Sequence, residues 1–222
     1  MENTKIVSFI GFERSDLPYF LSIMLKNKKY RTLVIDNSCT HDLFLSLKRP
    51  DAETDHVEFD RNVYMRNKTV DVDNLESFDK FDVVIMYHGY NIEENILQIS
   101  DLTVLSLNYE LSTMQYLKDY IDLEMVQSIP KEKLYVVYRD KVSTKIAEQY
   151  LMKQLGLSGI EQEYVIYYDE GNYNAYINFC YNGVQSVKGI TTELKAAINA
   201  IMVALIGNDK KKRKRNKKEE EK

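Results

Sequence analysis

The sequence is poor in the residues that mark secreted, metal-binding and membrane-spanning proteins. Its 222 residues include two cysteines, Cys39 and Cys180, and such isolated thiols fit a reducing compartment, so we expect a cytoplasmic protein. No basic segment followed by an apolar core opens the chain, so no secretory signal is predicted. The longest late apolar stretch, 196–206, is too short to span a bilayer.

A metal site is not predicted either. The three histidines, His41, His56 and His88, do not stand at metal-ligand spacing from the cysteines. His88 follows the apolar run 81–87 and is expected in the turn after that strand. Without a serine or cysteine that could be assigned to it as a partner, no catalytic residue is predicted.

Charge is distributed unevenly along the chain. The formal net charge is −4, and residues 210–222 alone hold nine Lys/Arg and three Glu, a local charge of +6. Subtraction leaves about −10 on the first 209 residues, so the body has no broad basic face for nucleic acid. We expect a folded domain over 1–207 and a disordered tail over 208–222.

The tail supplies the candidate residues for an anionic partner, either a membrane surface or DNA. The alternative is a solubilising tail, because three glutamates follow the basic run. The candidate residues are Lys210, Lys211, Lys212, Arg213, Lys214, Arg215, Lys217 and Lys218.

The pattern of apolar runs predicts an α/β domain. Residues 5–38 read as strand, helix and strand, with the second strand ending in Asp36. Further apolar runs alternate with segments of helical spacing, which predicts a mostly parallel sheet with helices on both faces. The polar stretch 48–60 is expected to be a surface connection, and 63–65 a short edge strand. The later predicted strands are 81–87, 102–107, 134–138 and 164–168, and the later predicted helices include 111–122, 144–155 and 193–206.

The first loop, 11–16, lacks the chemistry that holds phosphates. It has neither the G-x-x-x-x-G-K-[ST] nor the G-x-G-x-x-G pattern, and no lysine follows it. After Gly11, the acids Glu13 and Asp16 put negative charge where an anion would bind. Arg14 and Ser15 could still bind an anion at the helix N-terminus, or Arg14 could pair with the flanking acids.

The order of segments resembles the MinD/ParA group of deviant-Walker P-loop ATPases, which includes the pilus-assembly relatives called TadZ or CpaE. Residues 33–37 (LVIDN) look like the family's strand with a terminal aspartate, and 81–87 (FDVVIMY) look like its Walker B strand. Residues 100–107, 134–139 and 167–169 are similar to its later "ADxVIIPV", "xxVxNR" and "IPYD" segments. The resemblance implies a P-loop NTPase-like sheet of MinD/ParA type.

The departures from the family pattern imply a degenerate nucleotide site. Both lysines of the family's K-G-G-x-G-K-[ST] loop have no counterpart, and Tyr87 stands where the Walker B aspartate would help to hold Mg²⁺. Asp36 matches an aspartate that assists the metal and water in the family, or else caps the following turn. We therefore expect no bound cofactor, no metal and no ATP hydrolysis.

By resemblance, the chain would be a pseudo-ATPase scaffold or positioning subunit of a bacterial secretion or pilus-type assembly. Its partners would be other proteins of that assembly and a second copy of itself, since the family associates through its nucleotide face. It would work in the cytoplasm, at the inner face of the membrane if the tail binds lipid. Two alternatives stay open, a divergent active NTPase and a DNA-segregation factor that binds through its tail.

Overall fold

The computed structural model describes residues 4–49, 54–68, 78–92 and 94–207. The basic tail therefore lies outside the described residues. The described residues form eight strands: β1 (Lys5–Gly11), β2 (Thr32–Asp36), β3 (His56–Phe59), β4 (Asn62–Arg66), β5 (Val83–Gly89), β6 (Leu102–Leu107), β7 (Leu134–Lys141) and β8 (Gln162–Tyr167).

Eight α-helices connect and follow these strands in the described part of the chain. They are α1 (Asp16–Asn27), α2 (Asp42–Leu45), α3 (Glu94–Ile99), α4 (Leu111–Tyr120), α5 (Leu123–Ser128), α6 (Glu148–Gln154), α7 (Glu170–Asn182) and α8 (Thr192–Ile206). None of the helices described is both long and apolar enough to cross a membrane.

The strands form one sheet in the order β3-β4-β2-β5-β1-β6-β7-β8. All neighbours pair in parallel except β3 and β4, which are antiparallel. Every residue of β5 is buried, as expected for a central strand covered on both faces. The predicted mostly parallel α/β sheet is confirmed.

Alternate residues of the central strands enter separate cores on the two faces of the sheet. On one face, Val7 and Phe9 of β1 pack with the apolar sides of α1, α7 and α8. On the other face, Ile10 of β1 packs with α4 and α6. Helices on both faces follow from parallel strands, because each return to the same end of the sheet needs a crossover.

Four local expectations were wrong. The polar stretch 48–60 contains β3, so β4 is an inner strand and not the edge. In β3, exposed His56 and Glu58 alternate with buried Val57. A strand with one solvated face contains many polar residues, so its sequence is difficult to distinguish from a polar loop. The predicted helix 144–155 starts only at Glu148, and β5 runs on to Gly89, which places His88 within the strand.

Candidate functional site

The candidate site is the crevice at the carboxyl ends of β1, β5 and β2. From β1 the chain crosses through α1 to β2 on one side, whereas β6 lies on the other side of β1. This is a topological switch point, where open parallel sheets bind their ligands. The loop of residues 11–16 and the start of α1 lie at this point.

The first loop is tied back onto the end of β6. The backbone N–H of Phe12 donates to the carbonyl oxygen of Ser106 at 2.8 Å. Gly11 has a φ of +93°, and a Cβ at this position would lie 2.4 Å from the same oxygen. Only glycine accepts this turn without strain. As a result, the Phe12 N–H group is already used within the protein.

The side chain of Glu13 lies across the end of β5. A Cβ on Gly89 would lie 2.4 Å from the Glu13 Cγ. The Glu13 carboxylate accepts hydrogen bonds from the Cys39 N–H at 3.3 Å and from the Thr40 hydroxyl at 3.0 Å. A negative charge therefore occupies the crevice between the ends of β5 and β2.

Ser15 precedes α1 but does not cap it with its side chain. Its buried hydroxyl is 2.6 Å from the Tyr176 hydroxyl of α7, which in turn donates to the Ser46 hydroxyl at 3.1 Å. With Tyr176 donating to Ser46, Ser15 donates to Tyr176. This chain of hydroxyls links the start of α1 to the residue after α2.

Asp16, the first residue of α1, is part of a buried ion-pair cluster. Its Oδ2 accepts from the Arg139 Nη2 at 2.6 Å and lies 3.4 Å from the Arg14 Nε. Arg14 also forms an ion pair with Asp140. Asp16 and Arg139 are each 1% exposed, so both charges depend on this pairing.

An irregularity in β7 accompanies the position of Arg139, whose side chain contacts Asp16 at the start of α1. The register between β7 and β8 shifts between Tyr138 and Lys141, and Asp140 has a φ of +54°. Such bulges redirect a side chain away from the regular alternation. Burial raises the pKa of Asp140, although Arg139 and Arg14 oppose this effect.

Asp36 is fully buried at the end of β2 and is engaged by its own loop. Its Oδ1 accepts from the Ser38 N–H at 3.1 Å and the Ser38 hydroxyl at 2.6 Å, and its Oδ2 accepts from the Phe44 N–H at 2.8 Å. His41 Nδ1 is 3.9 Å from Oδ1. Burial raises the pKa of Asp36, and the three hydrogen bonds oppose this rise.

Tyr87 lies beside Asp36 in the β2–β5 register and is buried. Burial raises the pKa of its hydroxyl well above the usual value, and the carboxylates of Asp42, Glu13 and Asp36 raise it further. The negative charges of three acids therefore act on the Tyr87 hydroxyl. Even so, the described residues contain no group of three or more His, Cys, Asp or Glu arranged to hold a metal ion.

The three histidines do not converge. His41 is near Asp36, His56 is on the exposed side of β3, and His88 is buried near the end of β5. Burial lowers the pKa of His88 to about 4, with a smaller opposing effect from a backbone hydrogen bond to Asn91. His88 is therefore neutral near pH 7.

Sequence reasoning located the first loop and Asp36 but missed three residues of the site, Arg139, Asp140 and Tyr176. Arg139 follows an apolar run, and a charge in that place is a signal for burial with a partner. Nothing in the sequence identifies that partner, because Asp16 is 123 residues away.

Comparison with solved structures gives the fold. The chain is similar to a ParA family ATPase from Chlorobium tepidum TLS, with a TM-score of 0.65 and 12% identity over 89% of this chain and 98% of that one. MinD from Aquifex aeolicus, in its complex with MinC, matches with a TM-score of 0.61 and 11% identity over 89% and 95%.

A third similar structure is MinD from Pyrococcus horikoshii OT3 in complex with Mg-ADP. It has a TM-score of 0.58 and 13% identity over 93% of this chain and 99% of that one. No family model and no curated protein matches the sequence. At identities this low the likeness shows the fold alone, and that fold is the MinD/ParA type of P-loop NTPase.

Proposed function

We propose that this MinD/ParA-fold chain does not hydrolyse ATP and acts as a scaffold or positioning subunit. The observation that carries the proposal is the first loop, which places the Glu13 and Asp16 carboxylates at the switch point. Catalysis of phosphoryl transfer depends almost entirely on positioning and on neutralising phosphate charge. The Glu13 carboxylate at this edge opposes a triphosphate, the arginines that could attract one already pair with Asp16, and the loop has no lysine.

The metal side of the site supports the same proposal. Mg²⁺ in nucleotide sites is held by one or two carboxylates together with phosphates and water. Both carboxylate oxygens of Asp36 already accept hydrogen bonds from Ser38 and Phe44. Tyr87, which stands where the family has a second carboxylate, is buried and keeps its proton.

The test is thermal unfolding with and without Mg-ATP, with Mg²⁺ alone as the control. A ligand at 100 times its Kd stabilises the folded state by about 2.7 kcal/mol, which corresponds to a rise in Tm of roughly 5–10 °C for a chain of this size. We expect no rise specific to ATP. A saturable rise would contradict the proposal and favour a divergent NTPase.

We further propose that the crevice face pairs with protein, as a homodimer or with another subunit. The resemblance of the sequence to the TadZ/CpaE relatives supports a bacterial secretion or pilus-type assembly as the proposed setting. The A. aeolicus MinD structure contains its protein partner MinC, which supports a partner-binding use of the fold. We expect a dimer by light scattering, and a strict monomer at high concentration would favour a different protein as partner.

The basic tail carries a separate proposal, contact with an anionic membrane surface. Each Lys or Arg near such a surface contributes about 1 kcal/mol, and the run 210–218 has eight of them. The first 209 residues are acidic, which disfavours a long DNA duplex as the partner. DNA contact is therefore the second candidate, and it is the one that a segregation factor would need.

Deletion of residues 208–222 tests the tail. Pelleting with anionic liposomes at low salt should be lost, and binding by the full chain should weaken steeply as salt rises. A matched control replaces the eight basic residues with glutamine and keeps the length. Binding that survives the deletion would place the contact on the folded body, and pelleting with DNA alone would identify the other partner.

A further inference from the structure

Two guanidinium groups converge on one carboxylate oxygen at the start of α1. The Asp16 Oδ2 accepts from the Arg139 Nη2 at 2.6 Å, and the Arg14 Nε is 3.4 Å from the same atom. Charge-assisted hydrogen bonds of this kind are how proteins hold carboxylates and phosphates. The cluster therefore has the donors of a small-oxyanion site, and a carboxylate of the same chain fills it.

Arg139 has more donors than Asp16 uses. Its Nε and Nη1 have no hydrogen-bond partner among the described residues, and its side chain is 1% exposed. The Asp16 Oδ1 is likewise without a partner there. Buried polar groups are almost always paired. The unused donors of Arg139 therefore indicate that the Asp16 carboxylate does not use every donor of the site.

The backbone around the cluster also favours an anion. Asp16 is the first residue of α1, a helix of 12 residues, and the start of a helix attracts negative charge. The β7 irregularity at Tyr138 to Lys141 brings Arg139 to this point from the other side of β1. The site is thus assembled from two elements that are distant in sequence.

We propose that Arg139, Arg14 and the start of α1 form a small-oxyanion site whose resident ligand is the Asp16 carboxylate. Removing that carboxylate opens the site to a free oxyanion of similar size, such as formate, or to inorganic phosphate. The inference rests on the proposed function, because a site that already holds a nucleotide phosphate would not need an internal anion.

Chemical rescue tests this inference. In Asp16→Ala, formate restores the missing carboxylate as a separate ion. We expect this variant to have a lower Tm than the parent protein, and formate to raise it saturably by about 5 °C. Sodium chloride at equal ionic strength should not do so. Inorganic phosphate, tested in parallel, shows whether the opened site also admits a larger oxyanion.

Two controls make the result specific. Asp16→Ala/Arg139→Met lacks the main donor and should not respond to formate, and the parent protein should not respond because the Asp16 carboxylate occupies the position that formate would take. A formate response equal in the single and double variants, or equal to that of chloride, overturns the inference. If Asp16→Ala does not fold alone, recovery on refolding with formate but not chloride supports the inference, and failure with both overturns it.

The same measurements separate this inference from the proposed function. Stabilisation of the parent protein by Mg-ATP overturns the proposed function. A parent protein that ignores Mg-ATP, together with an Asp16→Ala variant that ignores formate, overturns the internal-anion inference alone.

Discussion

The two sides of the crevice stabilise their acids by different means. Toward β2, the Glu13 and Asp36 carboxylates accept hydrogen bonds from backbone N–H groups and hydroxyls in the described part of the chain. Toward β7, Asp16 and Asp140 pair with arginine side chains. The acids of the first side are held by neutral donors, whereas on the second side two arginines balance two acids.

Under the proposed function, this difference would give the crevice two ways to exclude a nucleotide. On the β2 side an incoming phosphate would meet the Glu13 and Asp36 carboxylates, which are held by backbone N–H groups and hydroxyls. On the β7 side the guanidinium groups that would attract a phosphate already hold Asp16. The two sides can be tested separately with substitutions that remove either the arginine pairing on the β7 side or a hydrogen-bonded group elsewhere in the crevice.

The largest effect is expected on the β7 side, from Arg139→Met. The substitution leaves the Asp16 carboxylate buried, with Arg14 at 3.4 Å as its remaining cationic contact. Breaking a buried ion pair by removing one partner costs about 3–5 kcal/mol. Urea unfolding should show a loss of at least about 3 kcal/mol in the free energy of unfolding.

Arg61→Met, at an exposed arginine, is the matched control and should change the free energy of unfolding little. In Asp16→Leu/Arg139→Met, which removes both charges, most of the lost stability should return. If Arg139→Met were no more destabilising than Arg61→Met, the cluster would not be an essential part of the fold.

A pH-dependent effect is expected from His88 at the end of β5. Its pKa is lowered from 6.5 to about 4 by burial, so the unfolded chain takes up the proton first as the pH falls. The stability from neutral His88 is therefore complete above pH 6.5 and is lost as the pH falls toward 4. The shift corresponds to a loss of about 3 kcal/mol.

Urea unfolding at several pH values measures this loss against His88→Gln, which cannot titrate. The parent protein should lose more stability on acidification than His88→Gln, whereas His56→Gln, at an exposed histidine, should follow the parent. Parallel pH profiles for the parent and His88→Gln would show that His88 is protonated in the folded state without penalty.

Much of the fold could be predicted from the sequence, because the central strands are apolar on both faces. The runs around β1, β5 and β6 have few polar interruptions, and the alternation with helices implies the parallel order. The edge strand β3 was missed because only Val57 and part of Phe59 face the core. A strand with so little apolar surface resembles a polar loop.

The site was predictable only where it is local in sequence. The absence of a lysine and of any glycine after Gly11 in residues 11–16 is visible directly, and so is Asp36 at the end of a strand. The pairing of Asp16 with Arg139 depends on the β7 irregularity and on strand order, and neither has a local signal. Tyr176 reaches Ser15 across 161 residues, so its role also needed the folded structure.

The smallest effect is expected from Tyr176→Phe, which breaks the hydroxyl link between the two sides. The Tyr176 hydroxyl joins Ser15 at the start of α1 to Ser46 after α2. Its removal leaves the buried Ser15 hydroxyl without this partner, at a cost of about 1–2 kcal/mol and a fall in Tm of roughly 2–8 °C. Tyr181→Phe on the same helix, where the side chain is 77% exposed, is the control and should leave Tm unchanged. Equal Tm values for Tyr176→Phe and Tyr181→Phe would mean that the hydroxyl link adds nothing to stability, and that the ring contact of residue 176 with Tyr19 of α1 is sufficient.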